Sequence, residues 1–153
     1  EIIFLPDILM GKNLQKLTTK KLILWNGTCI VHEKFNPHSI LQVKKQFPNA
    51  KILAHTECNP AIIDFADLAG STNDMLNFVS KTKAKNIMMI TECGLSDRVR
   101  VEHPDKNIIG TCNLCPYMKK IKLENILTAL KNPRKNHLSL IAFLILIYSH
   151  YSK

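Results

Sequence analysis

Soft thiolates and one His-x-Glu triplet carry most of the reactive chemistry in this sequence. Cys112 and Cys115 lie in Gly110-Thr111-Cys112-Asn113-Leu114-Cys115-Pro116-Tyr117-Met118-Lys119-Lys120, directly after the apolar run Asn107-Ile108-Ile109. A cysteine at the carboxyl end of a strand, with a proline closing the turn, suits a metal cluster: backbone N–H groups there can hydrogen-bond to the sulfur. Cys29 ends a similar passage, Leu24-Trp25-Asn26-Gly27-Thr28-Cys29, and the letters Gly-Thr-Cys recur at 27–29 and 110–112. By overall register Cys29 pairs equally well with Cys115. Cys112 is ambiguous alone, because Cys-x-x-Cys serves as a redox pair or as half of a zinc site.

The triplet His55-Thr56-Glu57 follows the apolar run Ile52-Leu53-Ala54. Residues two apart in an extended segment share a face, so imidazole and carboxylate can point together into a cleft and move protons. The plainer alternative is a loop in which Glu57 caps the helix opening at Asn59-Pro60. Ser71 and Thr72 follow Gly70 at a helix start, where hydroxyls and unpaired N–H groups bind phosphate or carboxylate; from the residues alone an ordinary N-cap by Ser71 or Thr72 is the favoured reading. Cys58 and Cys93 read as buried residues. His32, His38, His103, His137 and His150 show no ligand spacing with one another. Lys119 and Lys120 either attract anions or solvate a helix start.

The elements that must hold these residues alternate. Strands are expected at Ile2-Ile3-Phe4-Leu5, Lys21 to Trp25, Ile52 to Ala54, Ile87 to Ile90 and Asn107 to Ile109. Helices are expected from Gly11, Pro37, Pro60, Met75 and Cys93, and over Ile121 to Leu130. Continuous apolar strands between helices indicate parallel sheet covered on both faces, and ligands of such folds bind at the carboxyl ends of the strands. Cys29, the 55–58 segment, Glu92 and the 112–115 segment all fall there.

The 153 residues are 46% hydrophobic and 22% charged, an ordinary globular balance. The net charge of +9 favours anionic partners, but the lysines are dispersed with few aromatics between them, which argues against nucleic acid. An odd cysteine count without a secretory signal is read as a cytoplasmic, reducing setting with thiols unpaired or metal-bound. The opening in mid-strand without a methionine is read as a piece of something longer. Leu138 to Tyr148 is nearly all apolar but shorter than the roughly 20 residues of a membrane span, so no membrane partner is expected.

Four passages in order resemble the quinolinate synthase family: Leu24-Trp25-Asn26-Gly27-Thr28-Cys29-Ile30-Val31-His32-Glu33, His55-Thr56-Glu57-Cys58-Asn59-Pro60, Ala69-Gly70-Ser71-Thr72, and Cys115-Pro116-Tyr117-Met118-Lys119-Lys120. The resemblance spans roughly Ile2 to Pro133 and implies an α/β fold. Its three homologous three-layer αβα domains stand in pseudo-threefold arrangement around a [4Fe–4S] cluster, with about one and a half of them here. Residues 1–36 would be the later half of the middle domain, 37–118 the third, 119–135 a carboxyl-terminal helix and 136–153 an apolar tail foreign to the family. The implied transferase condenses iminoaspartate, supplied by aspartate oxidase, with dihydroxyacetone phosphate to form quinolinate for NAD. Cys29 and Cys115 would be cluster ligands, His55 and Glu57 catalytic, and His55, Thr56, Glu57, Ser71 and Thr72 substrate-binding. Family members with a three-cysteine run use its last member as ligand; here Ile109 replaces the first, and Cys112 is read as a non-ligand. The first cluster cysteine would lie outside this sequence, leaving the fragment inactive alone. The competing readings are a zinc-stabilised binding module on Cys112, Cys115 and Cys93, and an inert truncated product.

Overall fold

A computed structural model describes residues 1–110 and 112–132. The chain divides into two compact units, Glu1–Leu114 and Cys115–Lys153.

The first unit holds two parallel sheets. β1 (Ile2–Phe4) and β2 (Leu22–Leu24) pair in register Ile2 to Leu22, joined through α1 (Ile8–Gln15). The second sheet has the order β4-β3-β5-β6, all parallel: β3 is Lys51–His55, β4 Leu68–Gly70, β5 Asn86–Ile90 and β6 Asn107–Ile109. α2 (Pro37–Gln46) precedes β3, the single turn α3 (Pro60–Ile63) follows it, and α4 (Thr72–Lys81) and α5 (Cys93–Glu102) make the next two crossovers.

The central strands β3 and β5 are apolar on both faces, as parallel strands between helices must be. Leu53, Ile87 and Met89 pack with Met75 and Val79 of α4 and Val99 of α5. On the other face Met88 and Ile90 meet Ile40 and Val43 of α2 around a small cavity. Asn36 caps α2 ahead of Pro37, as its sequence suggests.

Most predicted elements appear, with three differences. The helix expected from Gly11 begins at Ile8, because Asp7 caps it by accepting the Met10 N–H. The helix after Pro60 is only four residues long. Leu68–Gly70 is a strand that the sequence reading passed over; pairing Leu53 with Leu68 makes it one. The described part of the second unit contains a 3-10 turn, Met118–Lys120, and the amphipathic α6 (Leu123–Lys131). The apolar tail lies outside the described residues. No helix among the described residues is long and apolar enough to cross a membrane.

Candidate functional site

Asp7 anchors the first side of the site. The chain turns at Pro6-Asp7 after β1, and the Asp7 side chain is buried. One oxygen caps α1 and the other accepts the Cys29 N–H at 2.8 Å. Burial pushes the Asp7 carboxyl up, while its backbone donors pull it down. Ile8 N–H donates to Gly27 O at 2.8 Å, holding the same loop. A side chain at Gly27 would collide with the Trp25 ring, so only glycine lets the chain turn over that indole. Cys29 is therefore fixed at the carboxyl end of β2, partly open to solvent. A short 3-10 turn, His32–Lys34, follows and brings a buried His32 round to the same side.

The second side is the turn after β3. Cys58 N–H donates to His55 O at 2.9 Å, and Asn13 of α1 clamps the turn by donating to Thr56 O and Cys58 O at 2.8 and 2.9 Å. The outcome matches the shared face expected of the triplet. His55 Nδ1 lies 3.6 Å from Glu57 Oε2, and that same oxygen lies 2.8 Å from His32 Nδ1. The two imidazoles stack with centroids 4.6 Å apart and planes 19° from parallel. His32 Nε2 sits 3.3 Å from Thr91 Oγ1, at the end of β5. Three strand ends thus meet at one imidazole, that of His32. Glu57 does not cap the following helix, since Asn59 does so with its own side chain.

The charges sort themselves. Burial disfavours a charged His32, but the Cys29 thiol and Glu57 carboxylate overcome it and push its pKa up to about 9. Burial lowers His55, and the neighbouring His32 lowers it further against the pull of Glu57. Burial would raise Glu57; His32, then His55, hold it below the ordinary range. An ionised carboxylate between an imidazolium and a neutral imidazole is a proton-transfer device: His55 accepts protons, and the His32–Glu57 pair fixes the local charge.

Cys29, His32 and Glu57 offer a sulfur, a nitrogen and an oxygen all within 4.8 Å of one another. Cys58 is excluded from metal chemistry by burial, which pushes its thiol up to about 12, and it donates to Ile90 O. Cys93 and Cys112 are joined in a disulfide, Cα atoms 5.0 Å apart. For these two residues that pairing corrects the expectation of unpaired or metal-bound thiols; Cys29, Cys58 and Cys115 form no disulfide among the described residues. The pairing also removes two of the three donors of the competing zinc module. Asn113 ties the same corner to the site: its amide donates to Val31 O at 3.0 Å, and its carbonyl accepts from Cys93 N–H at 3.2 Å.

The remaining expected residues lie at the same strand ends or in the second unit. His55 pairs with Gly70 across β3 and β4, so Ser71 and Thr72 begin one strand over from the triplet. Ser71 closes a capping box with Asp74: its hydroxyl donates to Asp74 Oδ2 at 2.6 Å and accepts the Asp74 N–H at 3.2 Å. The carboxylate of Asp74 already occupies that helix start. Thr72 is exposed on the first turn of α4. Cys115 opens the second unit, where its sulfur accepts the Met118 N–H at 3.5 Å. Sequence reasoning missed His32, Thr91, Asp7 and Asn13. Only His32 had a signal, the Cys29-x-x-His32 spacing that sets both residues on one turn.

The sequence matches the family described as quinolinate synthetase A protein over residues 1–142. A quinolinate synthase of Agrobacterium fabrum is 44% identical over 133 residues, covering 87% of this chain and 39% of the relative. That of Xylella fastidiosa is 42% identical over 134 residues, covering 88% and 40%. Quinolinate synthase 1 of Mesorhizobium japonicum is 42% identical over 133 residues, covering 87% and 41%. The chain spans about two-fifths of the length of these curated relatives.

Proposed function

The chain belongs to the quinolinate synthetase A protein family, and on that premise we propose that it carries the later portion of a cytoplasmic quinolinate synthase. The reaction is condensation of iminoaspartate, supplied by an aspartate oxidase, with dihydroxyacetone phosphate to give quinolinate for NAD biosynthesis. The observation that carries this reading is the convergence of Cys29, His32, His55 and Glu57 at the carboxyl ends of β2 and β3. Residues 1–36 belong in this reading to a middle αβα domain, 37–118 to a third, and 119–135 to a terminal helix.

Each residue has work to do. Ring formation requires a proton to leave a carbon, the phosphate of dihydroxyacetone phosphate to depart as inorganic phosphate, and oxygens to depart as water. His55, held neutral, accepts the first proton. Glu57, held ionised by His32, lies 3.6 Å from His55 Nδ1 and stabilises the imidazolium that results. Thr56, Ser71 and Thr72 line the approach for the carboxylate and phosphate groups. Ser71 contributes first as the cap of α4, which leaves Thr72 the stronger candidate for direct contact.

The family implies a [4Fe–4S] cluster, and two cysteines here have the chemistry to hold one. The Cys29 thiol is partly open at a strand end, and the Cys115 sulfur accepts a backbone N–H, as cluster thiolates do. When bound, such a cluster with an open iron supplies a Lewis acid for a substrate carboxylate or hydroxyl.

Genetic complementation tests the reading. The chain is fused behind the amino-terminal portion of a curated relative and placed in a bacterium lacking its quinolinate synthase. Growth without added quinolinate is expected, and its loss with Glu57→Gln or His55→Ala. Growth that survives both substitutions would contradict the assignment.

A further inference from the structure

Glu57 is held in place from a distant part of the chain. Asn13 of α1 is buried, and its side-chain amide donates to the turn after β3 twice, to Thr56 O at 2.8 Å and to Cys58 O at 2.9 Å. Those two carbonyls flank Glu57. The amide has one workable orientation, because the reverse would set its oxygen against two carbonyl oxygens. That oxygen is itself buried without a hydrogen-bond partner among the described residues. Burying it costs stability, and an apolar side chain of similar size would not incur that cost. What the apolar residue would lack is the pair of donors.

The start of the same helix holds the thiol. Asp7, the cap of α1, accepts the Cys29 N–H at 2.8 Å. Asp7 and Asn13 lie within two turns of each other, and the backbone hydrogen bonds of α1 make that span rigid. The Cys29 sulfur and a Glu57 carboxylate oxygen, fixed from the two ends of that span, come within 4.8 Å. A further link from α1, Lys16 Nζ to Asp64 Oδ1 at 2.6 Å, is exposed on both sides; such pairs contribute little.

We propose that Asn13 is a positioning residue for the proton-transfer step: through the backbone on either side it sets the Glu57 carboxylate against His55, and α1 ties that placement to Cys29. The catalytic consequence rests on the synthase reading; the clamp rests on the hydrogen bonds alone. Without the two donors the backbone of the turn is left with local ties, the Cys58 N–H to His55 O and the Glu57 N–H to His55 Nδ1 at 3.4 Å. The Glu57 oxygen then departs from its 3.6 Å approach to His55 Nδ1. A misplacement of about 1 Å at a reacting group costs about a hundredfold in rate.

Kinetics of the assembled enzyme, this chain joined to a relative's amino-terminal portion, test it. Asn13→Leu should lower kcat by about 10–100-fold, and so should Asn13→Asp, which keeps the shape without the donors. The discriminating comparison is a double-mutant cycle with Glu57→Gln. In that background Asn13→Leu should lower kcat by less than about twofold, because the group it positions is already gone. A merely structural role would act by leaving fewer folded molecules, and would lower both backgrounds alike. Lys16→Ala, which cuts the exposed link, should leave kcat unchanged. Hydrogen exchange is measured beside the kinetics. The amides of residues 56–58 should exchange at least about tenfold faster in Asn13→Leu than in the wild type or in Lys16→Ala. In the wild type both Asn13 side-chain protons should exchange at least about a hundredfold slower than those of the exposed Asn49, a result independent of how the variants fold. Unchanged kcat in Asn13→Leu, equal losses in the two backgrounds, or Asn13 protons exchanging at the exposed rate would overturn the proposal. A wild-type fusion that makes no quinolinate while Asn13 stays protected would count against the synthase reading alone.

Discussion

Glu57 has the most demanding position of any residue here. Its carboxylate serves two imidazoles, and the one at 2.8 Å is buried. Glu57→Gln would keep the shape and remove the charge, leaving a buried imidazolium without its counter-ion. In the assembled enzyme kcat is expected to fall by about 10²–10⁴-fold, the usual worth of a positioned acid–base group, with far-ultraviolet circular dichroism unchanged. A loss confined to KM would instead make Glu57 a binding residue. The thiols separate as sharply. Cys29 should be alkylated in the native chain and Cys58 only after unfolding, read by mass spectrometry, because burial keeps Cys58 protonated. At this scale the triplet was legible, since alternation across an extended segment is a local rule. It hid the His32 role, because the partners of His32 come from two other strands at Glu57 and Thr91. No local pattern brings those together; the parallel sheet does.

Short elements were the hardest to read. β4 is three residues with a glycine at its end, and it is a strand only because β3 lies beside it. Asp67, just before it, joins the two by accepting the Ile52 N–H at 2.9 Å and pairing with Lys51 at 2.6 Å. Burial would raise the Asp67 carboxyl, but Lys51 and the Ile52 amide hold it low. A carboxyl lowered by folding stabilises the fold above its unfolded value and loses that contribution as pH falls through its folded value. Asp67→Asn should therefore cost about 1 kcal/mol at neutral pH, and the cost should shrink as acidification protonates the folded-state carboxylate, checked by urea unfolding across the acidic range. α4 was legible because Ser71-x-x-Asp74 is a capping-box pattern. Ser71→Ala should cost about 1 kcal/mol of stability by the same measurement. An intact KM for dihydroxyacetone phosphate in that variant would leave Ser71 a cap alone. At the exit of β6, Gly110 takes φ +86°, where a side chain would be strained and would press on Met88.

At the scale of the molecule, the alternation of strand and helix was readable, β4 apart, because both faces of each central strand are covered. What covers the outer surfaces was not. Ile3 is 69% exposed and Leu5 51% on the two-stranded sheet, and Leu123 and Leu130 of α6 are 80% and 73% exposed. Apolar area on this scale marks surfaces that bind something, and the relatives are a little over twice as long. The proposed activity accordingly belongs to an assembly that includes the rest of that length. The measurement that bears most directly on it is anaerobic cluster reconstitution of the chain alone and of the chain extended upstream by a relative's sequence. Iron, sulfide and visible absorbance would be read with and without Cys29→Ala and Cys115→Ala. The account predicts about four irons in the extended form, lost in either variant. Iron retained in both variants, or none in any form, would contradict it.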